Sequence, residues 1–473
     1  MSASSLSLPG AERTITLFAL LVAPALAALA AFSPRAAIYV VAAALAIFVV
    51  LRSLLAGLAL FIVLTFPDQL PGALDVGPTL AKPFGVVILI SWLLTILGDR
   101  EREVPFLPRD APVLTYALLA LLVWSLASMV WASDRTLTLD SVTRLVQLVA
   151  LVFVTYSVVR KPRDLFVLVS AFLIGALVTS IYALSSGTLF YGRLTGGIFN
   201  PNAFAAEMVI ALVMMIFLLL SARRASLRFL LLACLAPCAA AFVQTQSRSG
   251  LIALVAACVV AAVVAGPIRG RLIAVFLIVA CIGVAYYVYA APAQLRERVT
   301  SIATGGQADP LREDTWQIAL RSTRAHPLAG VGLGNFPAVE SNYVTTNLDI
   351  LNIGELRRLQ LVVHNTYLEI LAELGVIGLV LYGAVLAMTL GRALAMLARP
   401  GPEDDGTRLF ARMIAAATVG LLTSQIFNSG EYSKQLWLLL GMSVAVASLG
   451  GQWRIERSTV RGRKPWPAPA PAS

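Results

Sequence analysis

The chain has 473 residues, 59% of them hydrophobic and 13% charged, with a mean hydropathy of +0.84 and a net charge of +11. A soluble chain carries about 25% charged and about 45–50% apolar residues, so a water-soluble multidomain globule is excluded. The number and length of the apolar runs imply helices and not a barrel, and the net charge is to be read against a bilayer, with no nucleic-acid partner expected.

In chain order the runs are 14–32, 36–51, 53–66, 82–98, 111–131, 143–159, 164–186, 202–221, 228–244, 249–266 and 271–291. After a long polar stretch come 366–391, 410–427 and 435–450. The predicted fold class is therefore all-α, a polytopic transmembrane helical bundle of 12–14 spans with one long helical extracytoplasmic loop. Residues 1–291 and 364–450 supply the N- and C-terminal membrane helices. Residues 292–363 form the loop, and 451–473 read as a disordered, Arg-, Pro- and Ala-rich cytoplasmic tail. The four cysteines (Cys234, Cys238, Cys258, Cys281) lie in apolar runs and there are two histidines, a pattern that indicates neither a disulfide framework nor a metal site.

Charge sets the orientation. With the N-terminus in the cytoplasm, 22 Lys and Arg residues fall in short inner segments and seven in short outer ones. The bias places both termini inside and the 292–363 loop outside. Four other polar segments share that outer side: Asp68–Leu80, Tyr191–Asn202, Gln244–Gly250 and Asn428–Tyr432. Chemistry is expected on this face.

Within the loop, Asp309-Pro310 starts a helix that runs to Ala325, with Arg312, Trp316, Leu320 and Arg324 on one face. His326-Pro327 ends it, and Leu328–Phe336 carries three alternating glycines suited to tight turns and close backbone approach. A second helical stretch, about 353–362, leads to His364, where the chain re-enters the membrane. Asn365, Glu369 and Glu373 repeat every fourth residue and draw a polar stripe that must face protein or a wet cavity. His364 stands at the water boundary and is the side chain best placed to take a proton near neutral pH. Arg248 and Arg193 sit at the same outer level, and guanidinium groups bind phosphate oxygens in forked pairs. A lone boundary arginine is readily a snorkelling anchor and a lone histidine a cap. The convergence of all these groups on one side is what points to a site for a lipid-anchored diphosphate.

His364-Asn365, nine residues, Gly375, two residues and Gly378 together resemble the H-[NSQ]-x9-G-x2-[GTY] signature of O-antigen ligases. The block His326–Phe336, with Gly197–Asn202 and Thr245–Gly250 upstream, is similar to the other outer-loop signatures of the O-antigen ligase and polymerase superfamily. The resemblance spans roughly 190–430. It implies a metal-independent membrane glycosyltransferase that uses no cofactor. The donor would be an undecaprenyl-diphosphate-linked glycan at the outer face of the cytoplasmic membrane. The acceptor would be lipid A-core for a ligase, a growing glycan for a polymerase, or a protein. By position, His364 matches the base and Arg248 the diphosphate-engaging arginine. Arg193, with a loop arginine among Arg312, Arg321 and Arg324, would join it, and Asn365, Glu369 and Asn202 would support the site. A glycan transporter is the competing class, but the sequence shows no internal repeat and few charges within spans.

Overall fold

The computed structural model describes residues 44–66 apart from 46, 81–99, 104–344 with short gaps, 362–398 and 406–462. The gaps are 188, 191, 197–199, 290–295, 297–299 and 301–309. The expected first span at 14–32, the segment Asp68–Leu80 and the helix at 353–361 lie outside the described residues.

Among the described residues the chain is helical but for one hairpin of two-residue strands, and it is a multi-pass membrane protein. The helices are α1 (Leu54–Thr65), α2 (Ala81–Gly98), α3 (Leu107–Asp110), α4 (Pro112–Ala127), α5 (Arg135–Val158) and α6 (Pro162–Ser186). After the hairpin of β1 (Leu189–Phe190) and β2 (Arg193–Leu194) come α7 (Pro201–Ser221), α8 (Ala225–Gln244), α9 (Arg248–Val264) and α10 (Arg269–Tyr289). The loop holds α11 (Pro310–Ala325) and α12 (Phe336–Val339), and the C-terminal part is α13 (Thr366–Ala398), α14 (Gly406–Ser424) and α15 (Lys434–Gly462). Seven helices among the described residues are long and apolar enough to cross a membrane, and four shorter apolar helices accompany them. Helix α15 runs on through 451–462, where the sequence reading put an irregular tail.

Burial follows composition. Helix α7 is apolar on all sides and sits centrally, with Phe204 through Leu218 buried without interruption. Helix α10 is as apolar yet buries only Leu272, so it lies at the rim with its side chains towards lipid. Lipid tails are as apolar as leucine, so helices in a membrane associate through close packing and not through burial from water. Helices α9 and α14 use small residues for this. Ala253, Ala257 and Ala261 are fully buried, and a Cβ added at Gly420 would stand 2.9 Å from the Ala257 Cβ.

Helix α13 is not straight. Gly375 has φ 68° and ψ −170°, which breaks the helix one third of the way along it. The glycine-rich loop docks into that break. Val331 and Gly332 donate to the Ala372 and Glu373 carbonyls at 3.0 and 2.8 Å, and Val376 donates to the Pro327 carbonyl at 2.9 Å. The Glu373 carboxylate, itself buried, accepts the Gly334 N–H at 2.7 Å and the Phe336 N–H at 3.3 Å. Gly330, Gly332 and Gly334 all have positive φ, as close backbone approach requires. On the far side of this loop, Asn335 is fully buried and ties it to α5, accepting the Asp134 N–H at 2.7 Å and donating to Thr138 Oγ1 at 2.6 Å.

Candidate functional site at one end of the bundle

One end of the bundle collects the starts of α7, α9 and α13, each capped by its own side chain. Asn200 Oδ1 accepts the Asn202 and Ala203 N–H groups, Ser247 Oγ accepts that of Gly250, and Asn365 Oδ1 accepts those of Tyr367 and Leu368. Helix starts carry partial positive charge, so three of them on one surface favour an anion there.

The turn before α9 is fastened to the hairpin. Arg193, on β2, donates from Nε to the Thr245 carbonyl at 2.9 Å and from Nη2 to Asn202 Oδ1 at 2.8 Å. The same Asn202 oxygen accepts the Ser247 hydroxyl at 2.8 Å. Arg248, half-buried, is the first residue of α9, directly after that cap. The hairpin itself was not foreseen. It is two residues per strand, too short for an alternation signal, with Gly192 at φ 73° in its turn.

A second set of bonds carries the network to His364. Asn200 Nδ2 donates to Asn428 Oδ1 at 2.9 Å. The Asn428 carbonyl accepts from both the Thr366 N–H (3.2 Å) and the Thr366 hydroxyl (2.9 Å), two residues past His364. His364 is half-buried, and its own N–H donates to Ser429 Oγ at 3.1 Å. Ser429 in turn donates its hydroxyl proton to the buried Glu369 carboxylate. The segments around Arg193, Arg248 and His364 therefore belong to one hydrogen-bonded assembly, reached from β2, α7, α9, α13 and the α14–α15 connection.

The three loop arginines separate. Trp316 on α11 donates from Nε1 to the Val363 carbonyl at 3.0 Å, next to His364, and Arg312 lies one turn from Trp316 on the same face. Arg321 donates to the Tyr343 carbonyl at 3.3 Å, and Arg324 is exposed at the far end of α11. Arg312 thus shares its face of α11 with the residue that reaches the start of α13.

Among the described residues, the non-glycine positions with positive φ are Gln246 (48°) and His364 (55°). One is two residues before Arg248 and the other is the histidine itself. Such conformations cost about 1–3 kcal/mol and persist where the surroundings over-determine them, a pattern that clusters at functional sites.

Burial pushes the Glu431 carboxyl up to about 7, against the N–H donors of its own residue and Gly430 and the Arg144 guanidinium, which pull it down. Two groups escaped the sequence reading. Ser429 was inside a flagged segment, but nothing local marks it as the partner of a residue 65 positions earlier. Asn335 ends the glycine series and shows no sign of its burial in the residues around it. No group of three or more His, Cys, Asp or Glu among the described residues is arranged to hold a metal ion. A cavity of about 190 Å³ lies at the opposite end, around Asp110, Tyr156 and Arg392, and takes in neither His364 nor Arg248.

The fold and this assembly define an all-helical multi-pass membrane protein whose polar machinery gathers at one end. Residues 233–383, from α8 through Arg248 and His364 to just past the Gly375 break, match the family model described as O-antigen ligase. Over those residues the chain is similar to the O-antigen ligase family, of the superfamily that its histidine and glycine motifs resemble. None of the curated proteins matches the chain. A chain of a solved peptidoglycan synthase complex, described for its structural coordination of polymerization and crosslinking, is similar at 19% identity and a TM-score of 0.42. That likeness covers 72% of this chain and 98% of the other, and nothing further rests on it.

Proposed function

We propose that this protein moves a glycan from an undecaprenyl diphosphate donor to an acceptor hydroxyl at the outer face of the cytoplasmic membrane, as an O-antigen ligase does. The observation that carries the reading is the hydrogen-bonded assembly that seats the His364 motif and the Arg248 turn at one end of the bundle, over three helix starts. A diphosphate is already a good leaving group. The site must therefore supply positive charge for the phosphate oxygens and a base for the attacking hydroxyl.

In this reading the His364 imidazole takes the proton from the acceptor hydroxyl as its oxygen attacks the anomeric carbon. The bond from that carbon to the diphosphate oxygen breaks, and undecaprenyl diphosphate departs with the electron pair. Arg248 and Arg312 hold the departing charge, aided by the helix starts. Arg193 braces the Arg248 turn through Thr245 and Asn202. His364 then releases its proton to the water outside. The residues account for the transfer without a metal ion.

A polymerase of the same superfamily would use the same groups with a growing glycan as acceptor. The acceptor separates the two. Purified protein given the lipid-diphosphate glycan and an acceptor should release undecaprenyl diphosphate. His364→Ala should lower that release by about 100- to 10,000-fold with normal membrane insertion. Near wild-type release by the variant removes the base assignment. Glycan movement across vesicles without any release of undecaprenyl diphosphate would make the protein a carrier.

A further inference from the structure

The pair of half-buried Ser429 and buried Glu369 has no task in the reaction as set out above. It does not close the helix start either, because the Gln425 and Asn428 carbonyls accept the first N–H group of α13 and Asn365 accepts the second and third. What it touches is the backbone of His364. A serine hydroxyl has one proton, and that of Ser429 is directed to Glu369, so its lone pair is left to accept the His364 N–H at 3.1 Å. Glu369 belongs to α13 itself, five residues on, and is 7% exposed, so the acceptor for that proton is fixed in the core of the bundle.

The chain on both sides of His364 is held as well. The Val363 carbonyl accepts the Trp316 indole N–H at 3.0 Å. The Thr366 N–H is shared between the Gln425 carbonyl at 3.0 Å and the Asn428 carbonyl at 3.2 Å, and the Gly430 N–H donates to the Thr366 hydroxyl at 2.8 Å. His364 lies between these anchors in the left-handed region at φ 55°, a conformation that a residue with a side chain does not keep unaided.

We infer that Glu369 and Ser429 are positioning residues: the carboxylate orients the Ser429 hydroxyl, and the hydroxyl holds the His364 backbone in its left-handed conformation, aiming the imidazole at the acceptor. The inference rests on the reading of His364 as the base. The Gln amide oxygen can accept the Ser429 proton as the carboxylate does, whereas Ala cannot.

The test uses the full-length protein in detergent with an undecaprenyl-diphosphate glycan as donor. Ser429→Ala and Glu369→Ala should each lower kcat by about 10- to 100-fold, the cost of a misplaced catalytic group, with the donor KM and the melting temperature unchanged. Glu369→Gln should restore most of kcat. In a His364→Gly background assayed with added imidazole, Ser429→Ala should cause no further loss, because a diffusing base needs no backbone to aim it.

A Glu369→Gln variant as impaired as Glu369→Ala would overturn the inference. So would a loss carried by KM or by melting temperature, or an equal effect of Ser429→Ala in the imidazole-assisted background. The two readings fail differently. Full activity of His364→Gly without imidazole removes the base itself. An inactive His364→Gly together with a wild-type Ser429→Ala removes only the positioning pair.

Discussion

Gly375→Ala reverses the usual expectation for a helix. In a straight helix, Ala in place of Gly stabilises by about 0.5–1 kcal/mol. Gly375, however, has φ 68° and ψ −170°, a region open essentially to glycine alone, and a side chain there costs about 1–3 kcal/mol of backbone strain. The added Cβ would also lie 2.5 Å from the Ala329 nitrogen and closer still to the Leu328 carbonyl. Both are backbone atoms of the docked loop, and displacing them costs about 1–3 kcal/mol more. The net is a destabilisation of about 1–5 kcal/mol, after subtraction of the usual gain. Tryptophan fluorescence during thermal unfolding of the detergent-purified protein reads the sign directly, since Trp124 donates to the Leu374 carbonyl at 2.9 Å beside the break. A variant that melts at the wild-type temperature or above it would refute a broken α13 with the glycine loop docked into it.

Three further expectations follow from particular contacts. Glu373→Ala leaves the Gly334 and Phe336 N–H groups without their acceptor, at about 1–3 kcal/mol for each group that stays buried, while Glu373→Gln keeps one accepting oxygen. Chemical denaturation should therefore rank wild type above Gln and Gln above Ala, and an Ala variant equal to wild type would count against the docking. Ala257→Leu puts a branched side chain where α9 meets Gly420 of α14 and should destabilise by about 1–3 kcal/mol or more, measured by thermal unfolding against an equivalent change on lipid-facing α10. Glu431 has its carboxyl pushed up by burial to about 7, from an ordinary 4.5. The neutral carboxyl is therefore tolerated at low pH, and stability falls as pH rises from about 4.5 to about 7, levelling off above that. Glu431→Gln should melt higher than wild type at pH 8 and equal to it near pH 4, and the opposite ordering would show a carboxylate stabilised by its neighbours.

Much of the fold is legible in the residues because membrane helices are dictated by long apolar runs, and α6 through α8 lie close to where the runs place them, while α5 starts eight residues before its run. The loop helix was legible for a local reason. Pro310 suits a first helical turn, and α11 indeed begins at Pro310 and ends at Ala325. Features that depend on distant contacts left no such trace. The run starting at 410 leaves out the first turn of α14, where the charge of Arg408 interrupts the apolar pattern, yet Arg408 is buried and donates to the Leu397 carbonyl at 3.0 Å. The break at Gly375 is invisible since the apolar pattern continues across it. For the site, the polar stripe of α13 was readable as facing protein, but not its division of labour. Asn365 caps the helix locally, whereas Glu369 meets Ser429 and Glu373 holds the glycine loop, and the partners of these two carboxylates lie far away in the chain. The sequence alone also could not show that the face of α11 shared by Arg312 and Trp316 is the one that reaches Val363, beside His364.

The most direct test of the central claim is a cryo-electron microscopy structure of the protein with undecaprenyl diphosphate bound. The account predicts phosphate oxygens within hydrogen-bonding distance of the Arg248 guanidinium, with the His364 imidazole opening onto the same space from the start of α13. A diphosphate seated away from Arg248, or an imidazole facing a different space from the one that holds it, would contradict the account.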